Sequence, residues 1–258
     1  MTNQEILDIA MRQSAVDSHC DAADFLSHTN KIVLSAADHK ARRYLDLPFA
    51  CDLTSYGNNI VASVSPEIWA PVEKYIGTYP VEHCFETPHM QVLNEELKPY
   101  GLAVCFMAEY FLPDIHSLQA LACPYETRLL EPEALASLYL PQWQNALCEK
   151  RRHLDVLAVG AYDKGQLVGL AGCSADCDTM WQIGIDVLPP YRRQGIASAL
   201  TSRLAAETLA RGIVPFYCCA WSNIRSARNA IKSGFRPAWV QLTAKSLAFI
   251  EEMNAKQS

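Results

Sequence analysis

One segment restricts the fold of this chain more than any other: Ile183 to Ala197, reading IGIDVLPPYRRQGIA. The apolar run Ile183–Val187 ends against Pro189 and Pro190, so a strand stops there, because proline has no N–H for a sheet ladder. Gly195 and Ala197 follow, and helical spacing begins at once. Ile196, Leu200 and Leu204 recur at i+4, with Ala199 and Ala206 alongside. Gly212 after Arg211 supplies a stop. A strand that passes into a helix through small residues leaves the first-turn backbone N–H groups without helical acceptors, and the helix dipole adds positive charge there. Such a helix start accepts phosphate. An ordinary strand–turn–helix with a packing glycine has the same local pattern, so the wider spacing has to decide.

Arg192-Arg193-Gln194-Gly195-Ile196-Ala197 fits Arg/Gln-x-x-Gly-x-Gly/Ala. Before it stands Val187-x-Pro189-x-Tyr191; after it come a helix, a strand, Asn223, a second helix and the pair Gly234-Phe235. Together these resemble the acetyl-CoA half of the GNAT N-acetyltransferase superfamily. The resemblance covers about Tyr125 to Lys245, where strand, two helices, three strands, helix, strand, helix, strand is the order that the GNAT fold uses. The N-terminal half resembles that of a bacterial branch that includes the zwittermicin resistance acetyltransferases.

Composition places few further limits. A chain of 258 residues holds one large domain or two small ones, and a hydrophobic share of 50% excludes a disordered or fibrous chain. The net charge of −6 argues against a nucleic-acid partner and favours a cationic or amine substrate. No apolar run approaches a membrane span, so no membrane partner is expected. The ten cysteines are scattered without a Cys-x-x-Cys pair, and the polar start MTNQEILDIAMRQ is not a secretory signal. Reduced thiols in a cytoplasmic protein without a metal are therefore expected. His19-Cys20-Asp21 are adjacent residues that do not converge on one ion, and they read as loop and cap.

The expected fold class is α/β (α+β), a mixed central sheet flanked by helices. In the first half, helices are expected over Glu5–Val16, over Ala22–Leu26 behind Asp21 as N-cap, over Pro66–Ile76, and from an N-cap at Thr87 to Gly101. Strands are expected over Lys31–Ala36, Ile60–Val64 and Leu102–Leu112, while Arg42–Asp52 has no clear period. Turn residues from Pro113 to Pro124 set a boundary between domains 1–115 and 123–258. The first is either a degenerate GNAT copy or an unrelated α/β cap, and in both readings walls the acceptor cleft. In the second, a strand over Tyr125–Leu130 precedes helices from Glu131 to about Tyr139 and over Gln142–Arg152. A hairpin, Leu157–Tyr162 and Leu167–Cys173, and a strand, Trp181–Val187, complete a meander.

The resemblance implies function residue by residue. Two strands would splay at Ile185–Val187, with the pantetheine arm of acetyl-CoA between them. Backbone groups of Ile185 and Val187 would bond its amides, and one N–H would polarise the thioester carbonyl. Arg193, Gln194, Gly195, Ile196, Ala197 and Ser198 would offer backbone N–H groups to the diphosphate. Arg192 reads as a further coenzyme contact or a structural ion-pair partner, Asn223 as a pantetheine contact, and Arg228 as a phosphate contact or a solvated helix face. The acceptor would be a primary amine of a small molecule or peptide, and the exposed strand edges of this fold make a homodimer an open expectation.

One departure stands out. Many family members carry a tyrosine four residues before Gly-Phe, as proton donor to the leaving thiolate; here that position is Ala230. A thiol with a pKa of about 8.5 leaves without much help. An unperturbed amine near pKa 10.4 needs more, because it is neutral only about once in 2,500 molecules at pH 7. Relatives with a glutamate early on the third meander strand have Trp181 and Gln182 as counterparts here, so Asp186 is the candidate base, with Asp178 the next carboxylate. Cap or pairing roles for Asp186 stay open. Cys218 and Cys219 read as packed core. The alternative to an enzyme is a non-catalytic acyl-CoA-binding module.

Overall fold

The computed structural model describes residues 1–255. The first half contains α1 (Asn3–Ser18), β1 (Lys31–Leu34), β2 (Cys51–Ser55), β3 (Val61–Val64), α2 (Trp69–Thr78), α3 (Thr87–Leu97) and β4 (Leu102–Pro113). The second contains β5 (Glu126–Leu130), α4 (Pro132–Leu135), β6 (Asp155–Asp163), β7 (Gln166–Ser174) and β8 (Met180–Val187). It continues with α5 (Ile196–Ala210), β9 (Val214–Ala220), α6 (Ile224–Lys232), β10 (Phe235–Ser246) and α7 (Leu247–Ala255). No helix among the described residues is long and apolar enough to cross a membrane. None of the ten cysteines, all among the described residues, forms a disulfide.

These elements form two compact units that interlace along the sequence. Met1–Ala10 belongs with Tyr110–Pro237, and Met11–Glu109 belongs with residues 238–255. The partition differs at both termini from the consecutive division 1–115 and 123–258. Side chains account for the first exchange: Asn3 Nδ2 donates to Asp114 Oδ1 (2.7 Å), and the Ile115 amide donates to Asn3 Oδ1 (2.9 Å). Strand pairing accounts for the second, because Val240–Ala244 of β10 run antiparallel to Cys51–Ser55 of β2.

In the unit built around β2, β1 pairs parallel with β3, and β3 pairs antiparallel with β2. One face of this sheet is apolar: Cys51, Leu53, Ala62, Val64 and Leu242 pack with Val72 and Ile76 of α2 and Leu93 and Leu97 of α3. The alternate residues of β2, Asp52 and Thr54, are also buried. The Asp52 carboxylate accepts from Thr54 Oγ1, Gln241 Nε2 and Thr243 Oγ1 at 3.0, 2.9 and 2.6 Å. Burial pushes its carboxyl up to about 6, against the pull of those donors.

The unit built around β8 is an antiparallel meander, β5–β6–β7–β8, with β9 added parallel to β8. Strand alternation gives its two faces different covers. Leu157, Val159 and Ala161 pack against Ile196, Leu200 and Leu204 of α5. Ala158 and Leu170 pack against Leu135, Trp143, Ala146 and Leu147.

That second cover is not the pair of helices expected from the sequence. α4 lasts one turn, and Gln142–Arg152 holds only two 3-10 turns, Pro141–Trp143 and Glu149–Leu154. The cause is competition for backbone donors. Asp186 Oδ2 accepts from the amides of Asn145 (2.8 Å) and Ala146 (3.0 Å), and Asp155 Oδ2 accepts from the Cys148 amide (2.8 Å). A helix would have used the same N–H groups. Gly172 and Gly184 let the segment lie flat on the sheet, since a Cβ at either would overlap the carbonyl oxygen of Ala146 or Asn145. Two smaller differences are the N-cap of α3, which is Glu86 in place of Thr87, and α7, which the sequence reading did not include.

Candidate functional site

β8 has two edges with opposite fates. Toward β7 it is paired from Gln182 to Val187, opposite Ser174 to Gly169, without a register shift. Toward β9 pairing runs only from Met180↔Val214 to Gln182↔Phe216 and then ends. Ile183–Val187 and Tyr217–Ala220 therefore part. In an antiparallel ladder the backbone groups of successive residues alternate between edges. The Leu188 amide bonds Val168 O, toward β7. By that alternation the N–H and C=O groups of Ile185 and Val187, both singled out from the sequence, fall on the open edge, while the Ile183 N–H closes the last rung at Phe216.

The gap is a cleft of about 540 Å³ lined by Gln182–Val187, Tyr217–Cys219, Asn145, Arg192, Ala197, Asn223, Arg225, Ser226 and Asn229. It borders a second hollow of about 370 Å³ at the start of α5, where Arg193, Gly195, Ile196, Ala197 and Ser198 meet Arg225, Arg228 and Lys232 of α6. Gly195, the N-cap of α5, has φ 84°, and Arg193 has φ 63°. Left-handed residues at such a turn curl successive N–H groups toward one side, forming a nest for an anion. The first amide of α5 to find a helical-type acceptor is that of Ala199, bonded to Gly195 O at 3.1 Å. Those of Ile196, Ala197 and Ser198 have no acceptor among the described residues.

Side chains fix this loop. Arg192 Nε donates to Val187 O (2.9 Å), Tyr125 Oη donates to Gln194 Oε1 (2.9 Å), and Tyr191 Oη donates to Asp163 Oδ2 (3.1 Å). Arg192 thus ties the open strand end to the loop, and Gln194 anchors it from the other side. Asn223 is the N-cap of α6, where its Oδ1 accepts from the Ser226 amide at 3.2 Å and its Nδ2 remains a donor at the cleft wall.

Asp186 lines the cleft but is engaged elsewhere. Besides the two amides, its Oδ1 accepts from Asn145 Nδ2 at 2.6 Å. Both oxygens therefore hold the 145–146 segment, Oδ2 by two bonds and Oδ1 by one. Ala230 is fully buried. The residue that reaches the cleft in its neighbourhood is Tyr217, 3% exposed, with its hydroxyl 2.7 Å from Ser226 Oγ. Burial raises the Tyr217 pKa, against the lowering effect of hydrogen bonds from Ser226 and Asn229. Sequence reasoning missed Tyr217, Arg225 and Lys232. For the cations the signal was present, since Arg225, Arg228 and Lys232 recur at i, i+3 and i+7, one face of a helix.

A mixed sheet whose neighbouring strands part beside a bare helix start defines a protein that can hold an extended ligand with amide and phosphate groups. Residues 115–235, just under half of the chain, match the family model described as Acetyltransferase (GNAT) family, and this domain belongs to the GNAT superfamily. No curated protein sequence matches the chain significantly. Among solved structures, a GCN5-related N-acetyltransferase from Sphaerobacter thermophilus is 14% identical and aligns over 94% of this chain and 93% of its own, with a TM-score of 0.50. That is a likeness of fold. A GCN5-related N-acetyltransferase from Kribbella flavida is 15% identical over 60% of this chain and 63% of its own, with a TM-score of 0.47. A GNAT-family protein from Novosphingobium aromaticivorans is 22% identical over 56% of this chain, with a TM-score of 0.39. The chain spans 66% of that protein's length, just under two thirds.

Proposed function

We propose that this chain transfers an acetyl group from acetyl-CoA to a primary amine of a small molecule or peptide. The observation that carries the reading is the open edge of β8, which leads directly to the bare amides of α5. The residues fit the coenzyme in kind. The amides of Arg193 to Ser198 suit its diphosphate, with Arg225, Arg228 and Lys232 adding positive charge. Ile185 and Val187 suit the amides of its pantetheine arm, where the Val187 carbonyl is already taken by Arg192 and the Val187 N–H is the group left to donate. A backbone N–H aimed at the developing oxyanion lowers the barrier by about 3 kcal/mol. Bound there, the coenzyme supplies a thioester as acyl donor.

Tyr217 takes the acid role in this reading. The neutral amine nitrogen attacks the carbonyl carbon, the C–N bond forms as the C–S bond breaks, the nitrogen gives up one proton to water, and the leaving sulfur takes the Tyr217 hydroxyl proton, which water restores through Ser226, next in the hydrogen-bond chain. Burial keeps that hydroxyl protonated beyond the ordinary tyrosine range. Asp186 acts as a positioning residue. The test is thiol release from acetyl-CoA across an amine library, with coenzyme binding followed separately. Turnover on an amine with a mass-verified acetylated product is expected, and absence of binding to any acyl-CoA at millimolar concentration would end the proposal.

Ala230 and the engaged Asp186 favour a second reading, a non-catalytic acyl-CoA-binding module. It predicts binding with no turnover on any amine, and one verified product removes it.

A further inference from the structure

Away from the cleft, the unit built around β2 carries a second set of donor atoms. His83 lies in the 3-10 turn Glu82–Phe85, Glu86 is the N-cap of α3, and His89 lies in its first turn. Spacing of three brings all three side chains to one side across the bend at Glu86 (φ −104°, ψ 148°). One ligand atom from each lies within 4.8 Å of the others. His83 Nε2 stands 4.0 Å from Glu86 Oε2, and the two imidazoles stack with centroids 5.2 Å apart and planes at 7°. Tyr79 holds His89 edge-on at 4.3 Å. His89 Nδ1 is buried and has no hydrogen-bond partner.

A buried ring nitrogen without a partner leaves its lost hydration uncompensated. Hydrogen bonds within the cluster do not relieve it. A cation does, because each neutral imidazole turns a lone pair to it and the carboxylate balances its charge. We propose that His83, Glu86 and His89 form a divalent transition-metal site, with zinc the ion that it fits best. Two imidazoles and one carboxylate are a borderline donor set, whereas calcium and magnesium prefer oxygen alone. Three protein ligands leave a fourth position for water. Tetrahedral ligands about 2.0–2.1 Å from zinc stand about 3.3–3.5 Å apart, so the cluster must close slightly. The groups that must move are free to do so: the His83 and Glu86 side chains are 45% and 54% exposed, while Tyr79 holds His89. The ion would clip the Glu82–Phe85 turn to the start of α3. This inference stands apart from acyl transfer.

The test uses the full chain, metal-stripped and with reductant present, titrated with Zn²⁺ in a calorimeter and with Co²⁺ in a spectrophotometer. One equivalent per chain is expected, with a higher melting temperature and a cobalt spectrum free of thiolate charge-transfer bands. Changes in outer-shell groups alone weaken metal sites 10–100-fold, so His89→Ala should weaken binding by at least about 100-fold. His83→Ala, at an exposed position, should do the same without a loss of fold visible by circular dichroism. Unchanged affinity in the His83→Ala chain, thiolate bands in the cobalt spectrum, or no binding at millimolar Zn²⁺ would each overturn the site.

Discussion

The two edges of β8 are built from alternate residues of one strand, yet one is closed and the other open. Toward β7 the ladder runs from Gln182 to Val187; toward β9 it stops at Gln182. The closed edge is stabilised from outside the sheet: Asp186 pins Asn145 and Ala146, and Gly172 and Gly184 admit that segment against the strands. On the open side, Tyr217 is turned toward α6 by Ser226, and Arg192 occupies the Val187 carbonyl. The separation is thus held by side chains on both strands. A sheet ordinarily hides its backbone groups; here a gap of strand length keeps them available.

Filling the closed side should have the largest effect. Gly184→Val places side-chain atoms where the Asn145 carbonyl lies, so unfolding in urea should show a loss of about 3 kcal/mol. Removing the proposed acid comes next. Tyr217→Phe should lower kcat about 100-fold while acetyl-CoA affinity is retained. Because burial raises this hydroxyl's pKa, the alkaline loss of activity in the parent chain should fall above pH 10.

Asp186 separates anchor from base. Asp186→Ala strands two amides and should cost about 1–3 kcal/mol of stability. Asp186→Asn keeps one acceptor oxygen and should retain most of both stability and turnover. A base would instead lose turnover equally in both variants. The smallest effect is expected in the other unit. Asp52 has a folded pKa raised from 3.8 to about 6, so the folded state binds the extra proton and this group's contribution to stability falls as pH rises through that window. Asp52→Asn should flatten stability between about pH 4 and 6 and leave acetyl-CoA affinity unchanged.

Much of this was legible from the sequence where local chemistry and tertiary structure agree. Pro189, Pro190 and Gly195 mark a strand end and a helix start whatever surrounds them, and the meander follows from alternation and the Asp163-Lys164-Gly165 turn, where Lys164 and Gly165 have positive φ. The 142–152 segment was misread because its helical spacing is real, but its amides are captured by Asp155 and Asp186, residues remote in sequence. Tyr217 carried no local signal. Its reach into the cleft depends on where pairing with β8 stops, which no residue pattern in β9 reveals.

The most direct test is amide hydrogen exchange with and without saturating acetyl-CoA. The account predicts new protection confined to the amides of Ile185 and Val187 and those from Arg193 to Ser198, with the β7 side of the ladder unchanged. Saturation without added protection at those amides would contradict it.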